Sequence, residues 1–436
     1  MNNLLKLTFL SVLLAAPAAA ADGLDITRSV ELALRNNLYV KLASAGSEAQ
    51  RAEALAAAAR LLPQVEFSVS QERTFKENLT ALGFGKAPGG GAFLVGPFDT
   101  FDARLRLVFY ALDLSARAGA RSKKEEEKAS LLRFELVKEQ VAAAAALAYL
   151  DALSRASAEN SAQAGRELAS SLRALAENKH TAGTATGLDV VRAKTREAEE
   201  TLRVIRARTA LEESLLRLKH MIGLPLAGEL RLAEELSFSP GEASDPDQAV
   251  AAALQQRLEI EIARAGLAAG DLALKAAKRA RLPSVSVSAS AAFSGEVPNK
   301  EDELVGDMGV AARLPLFTGG RLDAGIAGAA AVKSQAENRL SDIFVQVEEE
   351  VRVGIYRVRA SADEVATASM TVTLAEQELE MARNRFSAGV ADNVELVDAQ
   401  TSLSRARDSR VDALSRRKEA NIRLTLALGR MKKLKF

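Results

Sequence analysis

The chain repeats itself once, and that limits what it can fold into. "SVELALRNNL" at 29–38 aligns with "AVAAALQQRL" at 249–258, and "RLLPQVEFSVS" at 60–70 with "ARLPSVSVSAS" at 280–290, both at an offset of 220 residues. "LRLVFYALDL" at 105–114 aligns loosely with "ARLPLFTGGR" at 312–321, at an offset of 207. "HTAGTATGLDVVR" at 180–192 aligns with "FSAGVADNVELVD" at 386–398, at an offset of 206. The register holds to Leu218, Ile222 and Gly223 against Leu424, Leu428 and Gly429. The falling offset places a longer loop near 76–98 in the first copy than near 296–303 in the second. A period of this length is a copied structural unit and not a solenoid, whose repeats run to about 20–50 residues. The division is a leader at 1–21, a first repeat at 22–230 and a second at 231–436.

Each unit reads in one order. A helix (about 25–60, then 246–281) ends at Leu-Pro, because a residue before proline leaves the α region. Two strands follow, expected at about 63–75 and 101–110, then at about 283–294 and 304–317. A proline-free stretch, about 112–180 and then 320–386, is long enough for a helix of roughly 100 Å at about 1.5 Å per residue. It runs to an Ala-Gly turn (tips at about 180–188 and 386–394), after which a shorter helix returns. Leu211, Leu215, Leu218 and Ile222 recur at 4, 3, 4 spacing and form one face of that helix. Aromatic residues make up only 4% of the chain, with no Trp and no Cys. So little aromatic bulk favours long helices packed through small side chains over a bulky globular core. Without cysteine there is no thiol chemistry and no disulfide.

The first residues read as a secretory leader. "MNNLLK" is weakly basic, "LTFLSVLLAA" is apolar but too short to span a bilayer, and "PAAAAD" closes it with small residues. Cleavage is expected after Ala20 or Ala21. Loss of Lys6 then turns the formal charge of +1 to zero, which gives no electrostatic reason to expect nucleic acid. No later apolar run is long enough for a membrane helix, so any insertion must use strands.

The strand segments alternate. Phe101, Ala103, Leu105, Leu107 and Phe109 oppose Asp102, Arg104 and Arg106. Val285, Val287, Ala289, Ala291 and Phe293 oppose a serine-rich face. Val65, Phe67 and Val69 oppose Glu66 and Ser68, and Met308, Val310, Ala312, Leu314 and Leu316 oppose Asp307, Gly309, Ala311 and Arg313. Taken alone, this pattern also fits a half-buried sheet of a soluble domain. Here nothing else in the chain would cover four apolar strand faces, whereas a bilayer would. Four strands cannot close a barrel, and lipid does not tolerate open edges. Two copies would pool eight strands and leave room only for side chains; three would pool twelve and leave a lumen.

The doubled order of helix, Leu-Pro, two strands, long helix, Ala-Gly turn and helix resembles the TolC-like outer-membrane efflux proteins (outer membrane factors). The resemblance implies a mainly α fold with a transmembrane β part. Duplicated long helical hairpins and two strands per unit would trimerise into a twelve-stranded barrel and an α-barrel. It implies a cell outer membrane location with the helices in the periplasm. The function implied is a passive exit duct of a tripartite efflux or type I secretion system. Its partners would be two further copies, a periplasmic adaptor (membrane fusion) protein, an inner-membrane pump and outer-membrane lipid. In this family the hairpin tips close the tunnel. By position, Glu395 and Asp398 match acidic residues that ring the constriction, and Asp189 matches an acidic residue of the first hairpin's gate network. Gly183 and Gly389, with Ala182 and Ala388 before them, match the tips that adaptors contact. Two places depart from the pattern: Ala391 stands where a basic residue is usual, and Phe386 replaces an aromatic hydroxyl. As ordinary helix-start acids, the three carboxylates would instead simply complement the helix dipole.

Other motifs carry no chemistry. His180 and His220 lack partners at metal-ligand spacing, so no metal or other cofactor is expected. "GGG" at 89–91 and "GG" at 319–320 lack the context of a phosphate loop. "KKEEEK" at 123–128 reads as a solvated helix face, and "MKKLKF" as a basic tail. No nucleophile or acid–base pair stands out, so an enzyme is not expected. The competing functions are a periplasmic coiled-coil adaptor or scaffold without its own barrel, and a self-contained porin. The duplicated unit argues against the first and the long helices against the second.

Overall fold

The computed structural model describes residues 23–81, 83, 85–86, 88–238, 245–298 and 303–431. The leader at 1–21 and the basic tail beyond Met431 lie outside the described residues. The chain forms α1 (Ile26–Asn36), α2 (Leu38–Ala59), β1 (Gln64–Thr74), β2 (Glu77–Asn78), β3 (Leu94–Val95), β4 (Phe98–Leu112), α3 (Leu114–Thr181) and α4 (Gly187–Ile222). It continues with α5 (Pro246–Gln256), α6 (Leu258–Arg279), β5 (Ser284–Gly295), β6 (Glu303–Arg313), α7 (Arg321–Ser387) and α8 (Asn393–Ala427). The chain packs as two compact units, each drawn from both sequence halves. Of the described residues, one unit holds those up to Lys41, those from Val137 to Gln256 and those from Val347 onward; the other holds those from Leu42 to Leu136 and from Arg257 to Gln346.

Four details differ from expectation. The single helix expected over 25–60 is two, α1 and α2, broken at Asn37, whose backbone is extended (φ −61°, ψ 134°). Its Nδ2 donates to the Met221 carbonyl at 2.9 Å, and Asn36 Nδ2 donates to the Ile222 carbonyl at 3.2 Å. These bonds satisfy the C-terminal carbonyls of α4. Asn37 Oδ1 accepts from the Tyr39 amide at 2.8 Å and so caps α2. The helix expected over 246–281 breaks likewise, at Arg257 (φ −69°, ψ 125°), the same place in the repeat. The strand expected to reach 317 stops at Arg313, because Pro315 has no N–H for a ladder. Finally, β4 begins at Phe98, before the expected 101, and a short pair, β2 with β3, lies in the long first-half loop.

In the second-named unit the strands form one antiparallel sheet, in the order β1-β4-β5-β6. The central pair, β4 with β5, joins the two sequence halves, and a bulge interrupts it between Phe109 and Leu112. The register sets Val65, Leu107 and Ala289 in line on the apolar face, and Glu66, Arg106 and Ser290 in line on the polar face. Val65, Phe67 and Val69 are exposed, and Met308 is 84% exposed, so the protein itself does not cover the apolar face. The helices of this unit pack through small residues. Ala118, Ala129, Ala265 and Ala269 are buried, and Ser122 Oγ donates to the Ala269 carbonyl at 2.8 Å.

In the other unit the burial pattern has a heptad rhythm. Val372, Ala375, Leu379, Ala382 and Phe386 of α7 meet Leu396, Ala399, Leu403 and Ala406 of α8 at alternating 3 and 4 spacing, the seam of a coiled coil. The face read from α4 holds: Leu218 and Ile222 are fully buried. Among the described residues no helix is long and apolar enough to cross a membrane.

Candidate functional site at the hairpin tips

Both long helices end in the same turn. Gly183 (φ 76°) and Gly389 (φ 75°) occupy the left-handed region that closes a Schellman motif. The Gly183 and Thr184 amides donate to the His180 and Lys179 carbonyls at 3.0 and 2.9 Å. In the second turn the Gly389 and Val390 amides donate to Phe386 and Arg385 at 3.1 and 3.0 Å. Ala182, Gly183, Ala388 and Gly389 are exposed, as are the neighbouring Leu188, Val191 and Val390.

The next helices start with different caps. At α4, Thr186 and Asp189 form a capping box: the Thr186 amide and hydroxyl donate to Asp189 Oδ2 at 2.9 and 2.7 Å. Those bonds, the hydroxyl's first and the amide's second, hold the Asp189 carboxyl below its ordinary range. At α8 the cap is Asp392, which accepts from the Val394 and Glu395 amides at 3.1 and 3.3 Å. Glu395 pairs with Arg385 of α7 at 2.9 Å. Asp398 is exposed, on the face opposite Leu396 and Leu403, and has no ion pair among the described residues. Glu395 and Asp398 thus share an outward face, while Asp189 is committed to its cap.

At the tips, two contacts tie the hairpins together, and both join residues about 200 apart in sequence. Lys179 Nζ donates to the Phe386 carbonyl at 2.6 Å and sits 5.0 Å from the centre of its ring. Asn393, 2% exposed, donates from Nδ2 to the Asp189 carbonyl at 2.8 Å. Phe386, a departure from the family pattern, is therefore a buried member of the seam and an acceptor for the first hairpin. Lys179, Arg385 and Asn393 escaped the sequence reading. The available signal was that Lys179 and Arg385 hold equivalent repeat places, one turn before each tip glycine.

Further along, Glu200 is 1% exposed and meets Arg196 at 2.6 Å, Arg203 at 3.2 Å and Ser404 Oγ at 3.3 Å. Arg203 also pairs with Asp408 of α8. Burial raises the Asp408 carboxyl above its usual range, and Arg203 offsets this only in part. Among the described residues no cluster could hold a metal ion.

The family model for outer membrane efflux protein matches residues 29–224 and 249–430, most of the chain. The chain belongs to the outer membrane efflux protein family. Pyoverdine export outer membrane protein OpmQ of Pseudomonas aeruginosa is 24% identical over 421 residues, covering 93% of this chain and 85% of OpmQ. The outer membrane protein VceC of Vibrio cholerae has the same fold, with a TM-score of 0.81 at 20% identity over 93% of this chain and 96% of VceC. The Campylobacter jejuni CmeC outer membrane channel matches with a TM-score of 0.78 at 19% identity, over 93% and 85% of the two chains. As a member of this family the protein is an efflux channel of the outer membrane, with its helical part in the periplasm. The family matches the expected exit duct, and the competing alternative of a barrel-less adaptor gives way to it.

Proposed function

We propose that three copies pool their sheets into a twelve-stranded barrel, continued by their helical hairpins as a tunnel, to make a passive exit duct. The observation that carries this is the sheet itself. Its outer strands, β1 and β6, each have an unpaired edge, and its apolar face is uncovered. Joining β1 of one copy to β6 of the next removes every edge, and lipid covers the apolar face. The hairpins support the same assembly. Leu188, Val191, Leu202 and Ile205 form an exposed stripe on α4 at heptad spacing, and Met370, Leu374 and Met381 form another on α7. A neighbouring copy would bury both. The two repeats, 22–230 and 231–436, would then alternate around the duct.

In this assembly the tips close the periplasmic end. Glu395 and Asp398 ring the constriction. Asp189 supports it through its cap and through its carbonyl bond from Asn393. Lys179 on Phe386 and Arg385 on Glu395 latch the tip. The exposed Ala182–Gly183 and Ala388–Gly389 turns, with Leu188, Val191 and Val390 beside them, dock a periplasmic adaptor that links the duct to an inner-membrane pump. The duct consumes no energy, since the pump drives transport. Converting both Glu395 and Asp398 to alanine lowers cation selectivity in planar bilayers and weakens block by multivalent cations. Unchanged selectivity removes the two from the constriction.

A further inference from the structure

The sheet differs in charge between its two ends. At the end where the helices join it, the connections run through Arg60-Leu61-Leu62-Pro63, Asp113-Leu114, Arg281-Leu282-Pro283 and Arg313-Leu314-Pro315-Leu316-Phe317. With the adjoining turns of α2, α3, α6 and α7, this end carries Arg60, Arg117, Lys278, Arg279, Arg281 and Arg321 against two carboxylates, Asp113 and Asp323. Arg313 is set apart, because alternation along β6 places it on the polar face with Asp307. At the other end, residues 71–78, 94–100, 293–298 and 303–304 carry Arg73 and Lys76 against Glu72, Glu77, Asp99, Glu296 and Glu303.

The acids near the helical end do not offset its cations. Asp323 pairs with Arg281, and Asp113 caps α3 by accepting from the Ala116 amide at 2.7 Å. The next acids back along α2 and α6, Glu53 and Asp271, are held by Lys123 at 3.5 Å and by Lys275 at 2.6 Å. Those further along α3 and α7, Glu125 and Glu337, lie two turns or more away in sequence. On the sheet, Glu66 is on the polar face opposite Arg106. Among the described residues Arg60, Lys278, Arg279 and Arg321 enter no ion pair, and all but the half-buried Arg279 are exposed. Helix dipoles do not account for the set. Cations suit the C-terminal ends of α2 and α6, but Arg321 opens α7 and Arg117 stands in the first turn of α3, where the dipole disfavours them. Arg117 Nη2 donates to the Ala111 carbonyl at 3.1 Å, which leaves its charge uncancelled.

Beside these cations Leu62, Leu282, Leu314, Leu316 and Phe317 are exposed, the last two at 89% and 91%. Apolar side chains next to unpaired cations suit the seam between hydrocarbon and lipid phosphate. This rests on the reading of the sheet as a membrane-spanning wall. On that basis, we infer that the helical end of the sheet is a collar that binds the phosphodiester headgroups of acidic phospholipids in the periplasmic leaflet. The leucines and Phe317 enter the hydrocarbon, and Arg60, Lys278, Arg279 and Arg321 hold the phosphates. When β1 of one copy joins β6 of the next, Arg60 and Leu62 come beside Leu316, Phe317 and Arg321, so the collar runs across the junctions between copies. It fixes the depth at which the barrel sits.

The chain has no tryptophan, so one introduced indole reports alone. Phe317→Trp places it at the collar, and Leu304→Trp at the far end of β6, where Leu304 is 69% exposed. Each full-length assembly is reconstituted in vesicles of phosphatidylcholine and phosphatidylglycerol, with bromine on the chains of one lipid or the other to quench an indole it touches. In Phe317→Trp, phosphatidylglycerol competes for the indole about five-fold better than phosphatidylcholine, and about 1 M salt weakens that preference. In Leu304→Trp the two lipids compete equally. Adding Arg60→Gln, Lys278→Gln and Arg321→Gln to Phe317→Trp brings the ratio close to one, and Arg321→Gln alone, the milder change, lowers it part of the way. Equal quenching by the two lipids in Phe317→Trp overturns the collar and leaves the barrel standing, as does a preference that survives these substitutions. If neither lipid quenches the indole at either place, the apolar face is not in the membrane, and the barrel falls with the collar.

Discussion

The two hairpins end in the same Schellman turn yet are held by different chemistry. The second, α7 with α8, closes on an apolar heptad seam that runs down to Phe386. The first, α3 with α4, is buried on α3 through Ala162, Gly165, Ala169, Leu172 and Ala176. Between its start and Thr209, α4 buries only Ala193 and Glu200. One repeat place states the contrast. Glu200 on α4 corresponds to Ala406 on α8, a carboxylate among arginines against a methyl group in the seam. A β-carbon at Gly165 would come within 2.8 Å of a Glu200 oxygen, so the glycine makes room for the charge. Duplication supplied one backbone plan, and divergence made one hairpin a hydrophobic zipper and the other a polar one. The second hairpin's seam also takes in Leu172 of α3, with Leu168 and Leu175 packed against it, and the first hairpin adds polar ties through Lys179 and through Arg203 on Asp408.

That difference is broken most sharply at the last turn of the two long helices. Phe386 is 4% exposed and its repeat counterpart, His180, is exposed. Phe386→Ala removes a buried ring from the seam and costs about 3–5 kcal/mol. His180→Ala stays within about 0.5 kcal/mol, as a surface change does. Thermal melts of the detergent-solubilised assembly measure both. Equal effects at the two places would show that the seam does not hold the second tip.

The next effect belongs to the first hairpin. Glu200→Ala strips the shared partner from Arg196 and Arg203, and removing one member of a buried charge cluster costs about 3–5 kcal/mol. The low end applies, because the Arg203 side chain is 26% exposed and keeps Asp408. Amide exchange should rise along α4 and leave the seam of α8 protected. Exchange that rises equally in both helices would mean that the hairpins are one cooperative piece and not two.

Much of this was legible in the sequence, for physical reasons. The Ala-Gly turns announce themselves because only glycine sits easily at φ near 75°. The strands announce themselves because alternation survives in the register of every pair. The helix breaks did not, since Asn37 and Arg257 lie inside otherwise helical patterns. Asn37 leaves the helix for partners at the end of α4, some 184 residues away. The end of β6 was written in Pro315 and overlooked because the apolar alternation runs on to Leu316. At the tips, it was the family resemblance that pointed to Asp189, Glu395 and Asp398. That Lys179 and Asn393 tie the hairpins together has no local pattern, beyond the equivalent repeat places of Lys179 and Arg385.

The smallest effect separates the two helix starts by pH. Hydrogen bonds from the Thr186 hydroxyl and amide hold the Asp189 carboxyl below its ordinary value in the folded chain. A depressed carboxyl contributes stability that is present above its unfolded pKa, near 4, and is lost as pH falls through the lower folded value. The carboxyl is largely solvated, so screening keeps the contribution small. The melting difference between the unchanged protein and Asp189→Ala should therefore be present at about pH 6 and shrink as pH drops below about 4. A difference that persists undiminished into acid would mean that the capping-box geometry, and not the ionised carboxylate, sets the start of α4. The first tip would then owe no more to charge than the second owes to its seam.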